Sequence, residues 1–566
     1  MNSFTKTLSI LTLTFLLSAC SFGGTKLDWR DLENYGTGIS FVSSKIEKAN
    51  LSFDNDGFKR SMERADEIAV NKGNIYTFNG EMNKVNEYFG SLRNKVVISR
   101  AIYYAYGRES DKAKFDSLYE SYLSFYSWYY PFLLHVKDSS DLIYNSFFGD
   151  MNEEEVDEYI QDFLYTEQTK TLDTEIADIQ DEQENKYTEF INAFRAKQIV
   201  KDDAQWNKYL NDSLNRFRDV MDKGGEYASI YGYDNYLDYV YDNYYHRDYD
   251  YTFVEQYEKL IDQYVIPASQ YYDEHVDKSI LSNPNKKLMF DLYTSGNIAD
   301  TRCFQGDALD SYVSMMGGDM LDSYKHLKNG GYYLFSNDAN SLGTAYVNSG
   351  MDDPLIFFSK NYQDVSTIVH EFGHYNAAYT NGNSNSFPFD IQETHSQGNE
   401  MLFNRYITDY YAKDANLDIY QYIQNYSVYN MLKDVLLPTA VSMVESYVFE
   451  NLDKSNEYLL DGINDIMEKY RALYGEGYDL IYAYWAAPIV SSTGYYISYA
   501  TSGIGAVGVY IQARQNYELA KNRYMKFVAY PEESTDIDKI FDYSGLYSPL
   551  QESTFRLLTP ENLYTF

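Results

Sequence analysis

A mainly α protein is the reading the sequence supports, with long helices in two lobes around a deep cleft and one small antiparallel sheet beside a central helix. Apolar and aromatic residues recur at helical spacing through most of the chain. The clearest case is the line Leu172, Ile176, Ile179, Gln183, Tyr187, Phe190 and Phe194, with Glu, Asp and Lys on the other faces. Strand signals are confined to residues 332–358, and between residues 28 and 225 only Pro131 interrupts the helical pattern.

In chain order, residues 1–19 read as a lipoprotein signal peptide. Lys6 supplies the positive end, Leu8 to Leu17 a short apolar run, and Ser18-Ala19 the small residues before Cys20. The apolar run is too short to span a bilayer as a permanent helix. Leu17-Ser-Ala-Cys20 resembles a bacterial lipobox, which implies that Cys20 becomes the lipidated N-terminus. Several acyl groups on one residue anchor a protein stably at a membrane surface. The expected place is therefore outside the cytoplasm, on a bacterial cell membrane or outer membrane. Cys303, the only other cysteine, then has no intrachain partner and reads as a packing thiol.

Residues 20–225 are expected to form an N-terminal helical lobe, 226–345 a helical connection and the start of the sheet, and 346–566 the remainder. The tyrosine-dense stretch 231–251 reads as a core helix carrying Tyr236, Val240 and Tyr244. Thr252-Phe-Val-Glu255 matches a capping box opening a helix that Pro267 closes, with Phe253, Tyr257, Leu260, Ile261 and Tyr264 inside. Three short β-rich runs follow: Tyr332–Phe335, Thr344–Val347 and Pro354–Phe358, separated by Gly, Asn and Asp. Such a sheet offers an edge to which an extended peptide adds as a strand. After Glu400 the chain is again helical to about Met525, and Asp542–Pro549 begins a turn-rich tail.

Charge and composition exclude some classes of function. The 84 acidic residues exceed the 47 basic ones, for a net charge of −37, and such a field repels nucleic acid. The 63 tyrosines suit an amphipathic core and cleft lining. There is no glycine-rich phosphate loop and no Ser-His-Asp arrangement. We expect a monomer whose partners are short peptides and, through the lipid, a membrane.

The chemistry is concentrated in His370-Glu-Phe-Gly-His374, an H-E-x-x-H pattern that puts two imidazoles one helical turn apart. Val365, Ile368, Val369 and Phe372 form an apolar stripe, and His370 and His374 fall roughly opposite it. The helix should floor a cleft, histidines outward, with Gly373 admitting the sheet or a substrate. A metal held this way needs a third protein ligand and an open corner. On the next helical stretch, Asp390–Phe403, the residues Glu393, Gln397 and Glu400 make one polar line, and the turn-rich Thr380–Ser386 folds it back. Glu393 is the favoured third ligand. His395, a rival, points about 150° away from that line.

His-Glu-Phe-Gly-His together with Glu393-Thr-His-Ser-Gln-Gly-Asn-Glu400 resembles the thimet oligopeptidase and oligoendopeptidase F group of zinc metallopeptidases. The likeness runs from about Gly331 to the C-terminus. It implies zinc on His370, His374 and Glu393, with Glu371 as general base in peptide hydrolysis. Glu400 is placed to accept a hydrogen bond from a ligand imidazole and fix its tautomer. The family also carries a histidine followed by tyrosines that cover the substrate carbonyl. Here the similar run is Trp485–Thr501, in which Tyr496 and Tyr499 are the candidate oxyanion donors. The family histidine is missing: its place falls near Pro488 and Ile489, and no His follows His395. An endopeptidase or oligopeptidase acting on short unfolded peptides is the leading expectation. A metallo-carboxypeptidase or dipeptidase on the same scaffold, or a catalytically weak peptide-binding surface lipoprotein, are the alternatives.

Overall fold

The computed structural model describes residues 44–295, 304–336, 338, 340–341, 345–348, 353–359, 365–381, 387–410, 417–474, 477–531 and 534–565. The expectations for Cys20, Cys303, the signal peptide and the 382–386 turn lie outside these residues.

Three helices open the described chain: α1 (Asn55–Val70), α2 (Ile75–Tyr106) and α3 (Glu109–Lys137). Asp54 and Asn74 cap α1 and α2 by accepting backbone N–H bonds from the first turn, and Gly107, at φ +58°, ends α2. Pro131 lies within α3, which continues through it. Helix α4 (Glu167–Arg195) buries Leu172, Ile176, Tyr187 and Phe190. Gln183 sits on the same line for a polar reason. Its amide donates to the Ala486 carbonyl (2.7 Å) and to Ser213 on α5 (Ala204–Ile230) (2.8 Å). Helix α5 runs across residue 225, where a lobe boundary was expected.

Tyr236, Val240 and Tyr244 are buried. Thr252 does not form the capping box: its hydroxyl and N–H both turn back to Asp250, and it caps nothing. Nor does Pro267 stop the helix. A single π-turn, Ile261–Val265, follows Phe253–Leu260, and Pro267 then lies in the first turn of Ile266–His275. The π-turn directly before Pro267 is where the helical hydrogen-bond pattern changes to accommodate the missing proline N–H.

The sheet is mixed, not antiparallel as expected. Strands β1 (Tyr333–Phe335), β2 (Ala345–Asn348) and β3 (Leu355–Phe358) are ordered β1-β3-β2, with β1 parallel and β2 antiparallel to β3. Burial accounts for the order of the strands. All four β3 residues are at most 1 % exposed, and a strand apolar on both faces belongs in the middle. Its alternation divides the sheet's surroundings. Ile356 and Phe358, with Ala345, pack against Ile368, Val369 and Phe372 of α6 (Val365–Asn381). Leu355 and Phe357, with Tyr346, pack against Val97, Ala101 and Tyr104 of α2.

Four more helices complete the surroundings of α6: α7 (Phe389–Tyr410), α8 (Leu417–Glu450), α9 (Ile497–Gln515) and α10 (Tyr517–Val528). Helix α9 is buried from Ile497 to Ala513, wedged against α7 and α8. Among the described residues, no helix is long and apolar enough to cross a membrane.

Candidate metal centre

Helices α6 and α7 meet backbone to backbone at Gly373. A Cβ there would lie 2.6 Å from both the His395 carbonyl oxygen and the Ser396 Cα, so only glycine permits this separation. The close neighbour of Gly373 is therefore α7, rather than the sheet or a substrate. Asn399 locks the crossing by donating to the Val369 carbonyl (2.8 Å) while accepting from the Tyr312 hydroxyl (2.7 Å). Because α7 covers the histidine face, α6 is not an open floor: His370 is 8 % and Glu371 2 % exposed.

The crossing brings His370, His374 and Glu393 together. Glu393 Oε2 lies 3.5 Å from the Nε2 atoms of both His370 and His374, and the three donor atoms lie within 4.8 Å of one another. Two ligands about 2.1 Å from one ion and tetrahedrally disposed would be about 3.4 Å apart, so the spacing suits a single small cation. The hydrogen bonds point the same way. His370 Nδ1 is 2.7 Å from Glu400 Oε1, and Ser366 donates to the other Glu400 oxygen (3.0 Å). With Nδ1–H donating to Glu400, the Nε2 lone pair faces the Glu393 carboxylate. Two acceptors confront each other, and a cation between them removes the conflict. Burial disfavours the imidazolium of His370, but its bonds to Glu393 and Glu400 outweigh that and raise its pKa well above the ordinary value. Burial likewise opposes ionisation of Glu393, while the two imidazoles hold its carboxyl well below the usual range. This pocket is built for positive charge.

Glu371 belongs to the same pocket but not to the ligand set. One of its carboxylate oxygens is buried without a hydrogen-bond partner, and burial raises its pKa against the pull of the two histidines. His395 does not reach the site. It is a core histidine between Phe387 and Phe527 (5.1 Å to the latter), lowered to about 3 by burial and hence neutral.

The tyrosines divide. The buried Tyr499 hydroxyl makes no well-formed hydrogen bond and has only the Tyr495 hydroxyl beside it; burial, and then the charge of Glu393, raise its pKa against the pull of Tyr495, with Glu371 adding to the rise. The Tyr496 hydroxyl is instead 2.7 Å from that of Tyr484 and outside the ligand cluster. Tyr495 donates to Glu393 Oε1 (2.7 Å), a role the sequence does not single out. Pro488 and Ile489, at the place of the family histidine, are buried.

Tyr495 is held by groups whose sequence neighbours say nothing of the site. Arg247 pairs with Asp390 (3.2 Å), both side chains at most 1 % exposed. Its guanidinium lies between Tyr241 and Tyr245, 4.4 and 4.5 Å from the ring centres. Ser498 accepts from Arg247 (2.7 Å) and donates to Asp390 (2.9 Å), and Tyr249 donates to Asp390 (2.6 Å). This cluster ties the first turn of α7, which carries Glu393, to the first turn of α9. Just before Tyr495, Gly494 adopts φ +75°, and its N–H donates to buried Glu445 (2.8 Å).

Two expected results arise here. Glu400→Ala should weaken binding of an added divalent metal by about ten- to a hundredfold, read by chelator competition; unchanged affinity refutes its role in fixing His370. Glu445 titrates at about 8, raised from 4.5 by burial against the Gly494 N–H and Arg247. Between those values the folded protein binds more protons than the unfolded chain, so stability must fall as pH rises. Asp434, also raised to about 8 by burial, adds in the same direction. The melting temperature should drop by several degrees from pH 5 to 9, and less steeply in Glu445→Gln. Equal slopes in the two proteins would sink this assignment.

Fold and donor set together define a large helical protein in which two histidines and one glutamate on crossed helices could hold a metal ion. No family model matches the chain, and no curated protein matches it in sequence. Solved structures do. PZ peptidase A with inhibitor 2 superposes with a TM-score of 0.61 at 14% identity, over 92% of this chain and 98% of that one. A protein provisionally described as oligoendopeptidase F, from Bacillus anthracis str. Ames, gives 0.57 at 14% identity, over 93% and 98%. Oligoendopeptidase-F from Enterococcus faecium gives 0.51 at 12%, over 90% and 96%. What this chain shares with them is the fold, over nearly its whole length.

Proposed function

We propose that the protein is a zinc-dependent endopeptidase or oligopeptidase that hydrolyses short unfolded peptides. The observation that carries this reading is the convergence of His370, His374 and Glu393 beside a buried carboxylate, Glu371, with an oxygen left free. Retention of that carboxylate favours catalysis over binding alone, because a binding module has no use for a base. The shared fold of the peptidases above adds support.

Zinc on these three ligands would supply Lewis acidity, polarising the peptide carbonyl and making water acidic enough to lose a proton near neutrality. The remaining work falls to the chain. Glu371 takes the proton of the attacking water and passes it to the leaving nitrogen. The Tyr499 hydroxyl donates to the oxygen that becomes negative. Tyr495 holds Glu393, and Glu400 holds His370 in the tautomer that keeps Nε2 free. We place the protein outside the cytoplasm, anchored through acylated Cys20, on the support of the signal-like first 20 residues. A Cys20→Ala chain that still partitions with membranes would remove that part.

The test is to incubate the portion from Ser21 onward with a mixed peptide library, with and without chelator. Internal cuts establish an endopeptidase and terminal trimming an exopeptidase. Absence of any chelator-sensitive product leaves a peptide-binding lipoprotein instead.

A further inference from the structure

Two arginines are buried among the described residues, Arg100 and Arg247, each 3 % exposed. Arg247 has Asp390 as its counter-ion. Arg100, on α2, has none: no carboxylate pairs with it among the described residues, and its Nε has no hydrogen-bond partner. Its guanidinium carbon lies 5.6 Å from the centre of the Tyr104 ring and 5.3 Å from that of Tyr346 on β2. The Tyr346 hydroxyl is likewise buried and unpartnered, and burial raises its pKa against the pull of Arg100, so it remains a donor.

The Tyr104 hydroxyl is a hydrogen-bond partner of Arg100, but it is neutral, and burying a charge without a counter-ion costs far more than one phenol and two ring contacts return. A chain of net charge −37 has carboxylates in excess, yet among the described residues none forms an ion pair with Arg100. What the pair lacks is an anion with two acceptor oxygens, one for the guanidinium and one for the phenol. The position relates to the metal site. Arg100 acts electrostatically on Tyr244, whose ring stacks 6.2 Å from Phe389, the first residue of α7. Tyr346 also sits on β2 next to Ala345, which packs against Ile368, Val369 and Phe372 of α6, the helix that carries His370 and His374.

We propose that Arg100 and Tyr346 form a carboxylate subsite for the bound peptide, filled by its C-terminal carboxylate or by an acidic side chain. This rests on the peptide-hydrolase reading for its substrate class, but its test does not depend on turnover.

Three peptides of one sequence serve as probes: free C-terminal acid, C-terminal amide, and amide with one internal residue changed to aspartate. Their affinities are measured by titration calorimetry on the zinc-loaded Glu371→Gln protein, with and without Arg100→Met or Tyr346→Phe. The acid, or the aspartate peptide, should bind about tenfold or more tighter than the plain amide. Which of the two does so identifies the source of the carboxylate. Both substitutions should erase that preference while leaving the affinity for the plain amide unchanged. Should Arg100→Met fail to fold, Tyr346→Phe, which removes one buried hydroxyl, carries the test. Equal binding of all three peptides, binding of none, or a preference that survives Tyr346→Phe overturns the subsite. Failure of the wild-type protein to cleave any of them, with the preference intact, overturns the hydrolase reading alone.

Discussion

Glu371→Gln should lower kcat for peptide hydrolysis by about a thousandfold while zinc content stays at the wild-type level. The expectation follows from how the carboxylates of the centre are committed. Glu393 faces two imidazoles and accepts from Tyr495; Glu400 accepts from His370 and Ser366. Only Glu371 keeps an oxygen without a partner, and glutamine reproduces its shape without its ability to take up a proton. Because Glu371 is not among the converging donors, metal analysis of the purified variant should match the wild type. Activity within tenfold of wild type would remove Glu371 from the chemistry, and a parallel loss of zinc would make its effect structural.

Glu393→Ala should be as damaging by a different route. It deletes one of three ligands and leaves the Tyr495 hydroxyl and two imidazoles around an unfilled space. Zinc affinity should fall on the order of a hundredfold or more, and chelator-sensitive hydrolysis with it. The control is His395→Ala, two residues along the same helix. His395 packs on Phe387 and Phe527 and lies outside the converging donors, so its loss should lower the melting temperature yet leave zinc stoichiometry intact. If His395→Ala empties the site and Glu393→Ala does not, the ligand set proposed here is wrong.

The contrast between these glutamate and histidine positions bears on what can be read from a chain. Glu393, Gln397 and Glu400 repeat at helical spacing, and that repeat alone places them on one face. The same counting turns His395 away from them. Which tyrosine bonds to Glu393 has no such signature. Tyr495, Tyr496 and Tyr499 occupy one short segment in a chain of 63 tyrosines, and the difference among them is made by Tyr484, 12 positions before Tyr496, and by Glu393 and Arg247, 102 and 248 positions from Tyr495. The sheet shows the same division. Its three strands are evident as β-rich runs between turns, whereas the central place of β3 depends on α2 and α6 covering both its faces.

Helix periodicity, the paired histidines, the glutamate line and the apolar strands are thus properties of the sequence itself, because they arise from backbone geometry within a few residues. Other features exist only once the chain has packed: the order of the strands, Gly373 as the contact between two helices, and the cluster of Arg247 with Asp390 and Ser498. The unpaired charge of Arg100 is another. Each joins residues tens to hundreds of positions apart, and their approach is determined by which apolar faces cover one another, information no local spacing contains.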